Sequence, residues 1–168
     1  MKDYFYFFET LDNYSDELDQ FIKEYTYLHK KISEDRGVIR FFKNAFGMRN
    51  NFQELAAHTE KQVDELREFA RKIDKLIAHQ PKTEIQKEYA QALKSFTNIL
   101  INLLQHLVTM AEFLYNIRID NANICHYDYK KLKSEYKDSA QAYQTNHIHL
   151  RDLYHKMHEE AVTHLPKE

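Results

Sequence analysis

Apolar residues recur at alternating steps of three and four along almost the whole chain. That spacing places them on one face of an α-helix. A first helix is predicted over 3–34, with Tyr4, Leu11, Tyr14, Leu18, Phe21, Tyr25, Leu28 and Ile32 as its stripe. Ser15 opens Ser-Asp-Glu-Leu and offers a second starting cap, which would leave the aromatic run before it as a separate arm. A second helix is predicted over 51–79, capped by Asn50 or Asn51 and striped by Phe52, Leu55, Thr59, Val63, Leu66, Phe69, Ile73 and Leu76. Gln80-Pro81 ends it, because the residue before a proline is pushed out of the helical region. The third, over 83–117, opens on Thr83-Glu84-Ile85-Gln86, a capping-box pattern. The fourth, over 124–164, carries Tyr129, Leu132, Tyr136, Ala140, Tyr143, Leu150, Leu153, Met157 and Ala161, with Pro166 just beyond.

Helices of about 30–40 residues are about 45–60 Å long. Similar lengths joined by short connections favour antiparallel neighbours, and stripes alternating threes and fours favour coiled-coil-like packing. The expected fold is all-α: a single domain over 1–168, built as an elongated antiparallel up-down-up-down four-helix bundle. The exception to the short connections is Asp35–Asn50, which holds both glycines of the chain and a run predicted as a short capping helix over 37–46. With only 2 Gly and 2 Pro in 168 residues, a many-stranded sandwich, a propeller or a Gly-rich phosphate loop is excluded. A chain of this length hides about 70% of its unfolded surface, enough for a real core.

Charge and cysteine narrow the partners. Lys+Arg is 24 and Asp+Glu is 26, a net charge of -2 that gives no overall pull toward nucleic acid. The one cysteine, Cys125, has no intramolecular partner, and a reducing cytoplasm is the expected compartment. The opening Met1–Thr10 mixes acids with aromatics and is not read as a secretion signal. Ser95–Ala111 is the longest uncharged stretch, but Asn98, Asn102, Gln105 and His106 make it too polar to span a bilayer, so a soluble protein is expected.

Candidate function sits in four places. On the third helix Asn98, Asn102, Gln105, Thr109, Glu112 and Asn116 follow at steps of 4, 3, 4, 3 and 4 and form one mostly neutral polar stripe. The second helix instead carries Lys61, Glu65, Glu68, Lys72 and Lys75 on its polar face. Interface centres are depleted of charge, so the neutral stripe reads as a docking face. The run Tyr4-Phe5-Tyr6-Phe7-Phe8 leaves a helix without a polar side, and Tyr4, Phe5, Phe7 and Phe8 are a second candidate contact unless their own bundle covers them. In the first connection Arg36, Arg40, Lys43 and Arg49 interleave with Phe41, Phe42 and Phe46, a pattern that suits an anionic membrane or a partner protein.

The fourth place is the last helix, with His147, His149, His155, His158 and His164. His155, His158 and Glu159 share a face at metal-ligand spacing, but Glu-x-x-His pairs and His-Glu-x-x-His are absent, and no cofactor is expected. Cys125 and His126 are adjacent, so their side chains diverge on a helix, and the seven-residue spacing of Tyr129, Tyr136 and Tyr143 reads as a core seam. Arg151-Asp152 followed by His158 resembles the motif of helical HEPN-type ribonucleases. That resemblance implies an Arg and a His acting on a scissile phosphate and a 2′-hydroxyl. The long amphipathic helices and a basic surface are similar to those of BAR-type membrane scaffolds, although this chain is shorter. GxGxxG, P-loop, CxxC and GxSxG motifs are absent. The expected function is therefore non-enzymatic: protein–protein contact of scaffold or adaptor type, with self-association as a homodimer. Peripheral membrane binding through 36–49 is the alternative, and a ribonuclease or metal-binding bundle using the late Arg/His cluster the second alternative.

Overall fold

A computed structural model of the protein describes residues 2–33, 52–79, 81, 83–120 and 126–164. They form four helices: α1 (Lys2–Ser33), α2 (Phe52–Ala78), α3 (Glu84–Asp120) and α4 (His126–Thr163). Among the described residues there is no strand. Every helix ends within one turn of its expected bounds. α1 runs unbroken through Ser15, which therefore starts no helix of its own. The expected capping helix over 37–46 lies outside the described residues.

The helix ends follow local chemistry. Thr83 caps α3: the Gln86 backbone N–H donates to its Oγ1 at 3.3 Å, and the Lys87 N–H donates to its carbonyl at 3.2 Å. The Gln86 side chain is fully buried and donates from Nε2 to the Tyr4 carbonyl at 3.4 Å, so the capping residue also ties α3 to the first turn of α1. α2 closes with a tightened turn, the His79 N–H on the Leu76 carbonyl at 3.1 Å, two residues before Pro81.

One cluster of buried apolar residues draws on all four helices. α3 packs on all three other helices, most extensively on α2 and α4. Its Tyr89, Leu93, Phe96, Leu100 and Leu103 are fully buried, which follows from a sequence apolar on most sides of the helix. α1 contributes Phe7, Leu11, Leu18 and Leu28, α2 contributes Val63, Leu66, Phe69 and Ile73, and α4 contributes Leu150, Leu153 and Met157. Each such side chain contributes about 1.5–3 kcal/mol by leaving water. Rings fill the seams: Phe69 meets Tyr14 at 5.5 Å and Phe21 at 5.7 Å, and Phe96 meets Tyr143 at 5.2 Å. Two threonines lie inside without cost to hydrogen bonding. Thr59 and Thr97 donate to the carbonyls of Leu55 and Leu93, one turn back, at 2.7 and 2.8 Å.

Polar pairs register the helices. Between α1 and α2, Lys72 donates to Glu17 and His58 pairs with Glu24, both at 2.7 Å. Lys94 of α3 pairs with Asp74 of α2. Among the described residues no helix is long and apolar enough to cross a membrane.

Candidate interaction surfaces

The polar stripe of α3 is its outer edge. Asn98, Asn102, Gln105, Thr109 and Glu112 are all exposed, while the residues between them are buried or half-buried. The Asn116 side chain lies outside what is described. α3 packs on three helices, so only this narrow line reaches the surface. From Ser95 to Ala111 the helix carries no Lys, Arg, Asp or Glu. Gln105 and Thr109 border a cleft shared with α2, whose other side is Glu60, Asp64 and Arg67 and which includes the nearly buried Val63 and Val108. The outer face of α2 is the opposite in kind. There Lys61 pairs with Glu65 at 3.4 Å, Arg67 with Asp64 at 2.8 Å, and Arg71 with Glu68.

The N-terminal aromatics divide by helical phase. Tyr4 and Phe7 are buried in the chain's own bundle, and Phe5 and Phe8 are half-buried. The Tyr4 ring lies 4.5 Å from the His164 ring, and Phe8 lies 4.9 Å edge-on to His158. These residues therefore cover α4, and the ring left outside is Tyr6, 71% exposed. It is absent from the contact set expected from sequence, because an all-aromatic run gives no sign of which member faces out.

The late histidines also separate. His155 and Glu159 are exposed. His158 is half-buried and faces α1, its Nε2 3.0 Å from Asp12 Oδ1. Among the described residues no group of three or more His, Cys, Asp or Glu could hold a metal ion. Arg151 and Asp152, the other members of the ribonuclease-like motif, are exposed on α4.

Three polar joints between helices come from residues that sequence reading did not single out for this role. In the first, Tyr154 donates to Asp12 Oδ1 at 2.7 Å, on the same oxygen that meets His158. Burial, then the bond and charge of Asp12, push the Tyr154 phenol well above its usual range. In the second, the Tyr25 and Tyr136 hydroxyls share a hydrogen bond of 2.8 Å, and Tyr136 also bonds His29 Nδ1. The Tyr143 ring lies beside them, tilted against Tyr25 at 5.3 Å, and burial pushes its phenol up to about 12. In the third, Glu160 of α4 accepts from the Thr83 hydroxyl at 2.7 Å and from the Tyr4 hydroxyl at 3.5 Å. Of the predicted seam, Tyr136 is buried and Tyr143 packs against the core, while the Tyr129 side chain lies outside what is described. The Asp, Glu and His partners in these joints carry no signal of their own, because the pairs are separated by more than 70 residues.

Tyr89 stands apart. It is fully buried, and its hydroxyl has no hydrogen-bond partner among the described residues. Burial drives the phenol far above its ordinary value, and the nearby Ser15 side chain opposes that shift.

The basic-aromatic set Arg36, Arg40, Phe41, Phe42, Lys43, Phe46 and Arg49 lies outside the described residues. Compared with known proteins, the chain matches no family model, no curated protein and no solved structure.

Proposed function

We propose that this protein is an antiparallel up-down-up-down bundle that acts by protein–protein contact, first with a second copy of itself, and not by catalysis. The antiparallel course is supported by the order of the pairs. From Glu24 to Glu17 on α1 the partners on α2 move from His58 to Lys72, and from Asp12 to Tyr25 the partners on α4 move from Tyr154 to Tyr136. Coiled-coil-like packing is supported by the buried α1 stripe Tyr4, Phe7, Leu11, Leu18, Tyr25 and Leu28, with its steps of three, four and seven.

The observation that carries the functional reading is the exposed, uncharged edge of α3 from Asn98 to Thr109. Amides and hydroxyls lose less on leaving water than ammonium and carboxylate groups, and each keeps donors and acceptors for a partner. The charged residues that border this edge on α2, Glu60, Asp64 and Arg67, supply the polar rim that such contacts have.

The test is Asn102→Lys together with Gln105→Lys. Both residues are exposed, so the fold tolerates the change. Native mass spectrometry of wild type across a concentration series is expected to give a homodimer. The double variant, with unchanged helical circular dichroism, is expected to give a monomer. A monomeric wild type, or a variant that stays dimeric, overturns the proposal.

A further inference from the structure

A second cleft, of about 390 Å³, lies on another face, between the start of α1 and the last turns of α2. That volume falls in the range of small-molecule sites, about 300–1,000 Å³. Phe7 and Leu76 line it and are themselves almost buried, so its inner wall is apolar. Tyr6 and Tyr14 line it from α1. Among the described residues no Asp or Glu lines it, whereas Glu60 and Asp64 line the cleft that α2 shares with α3.

The α2 side brings Lys72, Lys75 and His79. Lys72 is already held by Glu17 at 2.7 Å. Lys75 has no acidic partner within ion-pair distance among the described residues. The Lys75 carbonyl accepts a bond of 2.6 Å from His79 Nδ1, which must therefore carry hydrogen and leaves Nε2 as the other polar atom of that ring. Tyr6 and Tyr14 add phenolic O–H groups that can donate. The site thus joins an apolar wall to Lys75, which has no acidic partner among the described residues, and to further polar groups, while the nearby Glu17 carboxylate is taken up by Lys72.

We propose that this cleft binds an amphipathic carboxylate, a medium-chain fatty acid or an arylalkanoic acid. Its carboxylate meets the Lys75 ammonium and a phenolic O–H, and its hydrocarbon part lies along Phe7 and Leu76. Charge selects the class: a cationic amphiphile would meet Lys75 with like charge, and a neutral one would forgo the charge-assisted bond. The site is independent of the α3 edge, so either proposal can fail without the other.

The test is calorimetric titration of the full chain with decanoate, below its micelle concentration, beside decanol and decyltrimethylammonium. Decanoate is expected to bind one per chain and at least about tenfold more tightly than either analogue, the worth of one charge-assisted bond. Lys75→Glu, on an exposed position, is expected to weaken decanoate by about tenfold or more with helical circular dichroism unchanged. Tyr6→Ala is expected to weaken it severalfold. Three results each overturn the proposal: no saturable binding of decanoate, equal binding of decanol, or an affinity unmoved by Lys75→Glu.

Discussion

Tyr89 shows what a single buried group costs. Its ring fills the core between α1, α3 and α4, but its hydroxyl is shut off from solvent and has no hydrogen-bond partner among the described residues. A polar group in that position costs about 1–3 kcal/mol. Tyr89→Phe keeps the ring and removes the hydroxyl. Urea unfolding is expected to place the variant level with wild type or up to about 1 kcal/mol above it. A loss of stability would mean that the hydroxyl has a partner after all. Thr97 is the contrast: equally buried, its hydroxyl donates to Leu93 at 2.8 Å, so burial leaves it satisfied.

Between elements, α1 and α4 are joined by polar contacts at three levels. Asp12 is the middle one, with one oxygen serving both Tyr154 and His158. Asp12→Ala is expected to cost about 1–2 kcal/mol, the worth of charged hydrogen bonds trimmed by solvent at a half-exposed site. Tyr154→Phe is expected to cost about 1 kcal/mol. The double variant should cost less than the sum, with a coupling of about 0.5–1.5 kcal/mol, because both substitutions break the same bond. Strict additivity in chemical denaturation would show that Asp12 and Tyr154 do not interact in solution. This joint was not legible in the sequence. Asp12 sits beside Leu11 on the edge of a helical stripe, where an acid ordinarily faces water. Only the approach of α4 turns it into an acceptor. The α3 edge, by contrast, was legible residue by residue, because exposure there follows from the phase of one helix.

For the whole molecule, buried phenols link stability to alkaline pH. Tyr143 is held up to about 12 against an ordinary 10.0, and Tyr25, Tyr89 and Tyr154 are raised as well, in each case first by burial. A raised phenol keeps its proton in the fold while the unfolded chain loses it. The stabilisation is therefore complete below about pH 10 and is lost as pH climbs toward the folded-state values. Thermal unfolding followed by circular dichroism is expected to give a constant midpoint up to about pH 10 and a steep fall from there toward 12. Phenolate absorbance of the buried tyrosines should rise together with the loss of helix. An unchanged midpoint at pH 12 would show that these rings ionise in place.

The chain by itself determined the helices and the inward face of each, because helical period and capping are local: Thr83 and Gln86 sit three residues apart, and each stripe repeats within two turns. It also determined the uncharged edge of α3, since that edge is what remains when the apolar positions turn inward. Only the tertiary structure decided which aromatic of the N-terminal run stays outside, which acid meets which tyrosine, and where Lys75 stands beside an apolar wall. Those depend on axial register between helices far apart in sequence, such as Glu160 against Thr83 and His29 against Tyr136. A periodic apolar stripe fixes the rotation of a helix about its axis, but leaves its slide along a neighbour to the contacts made when the helices meet.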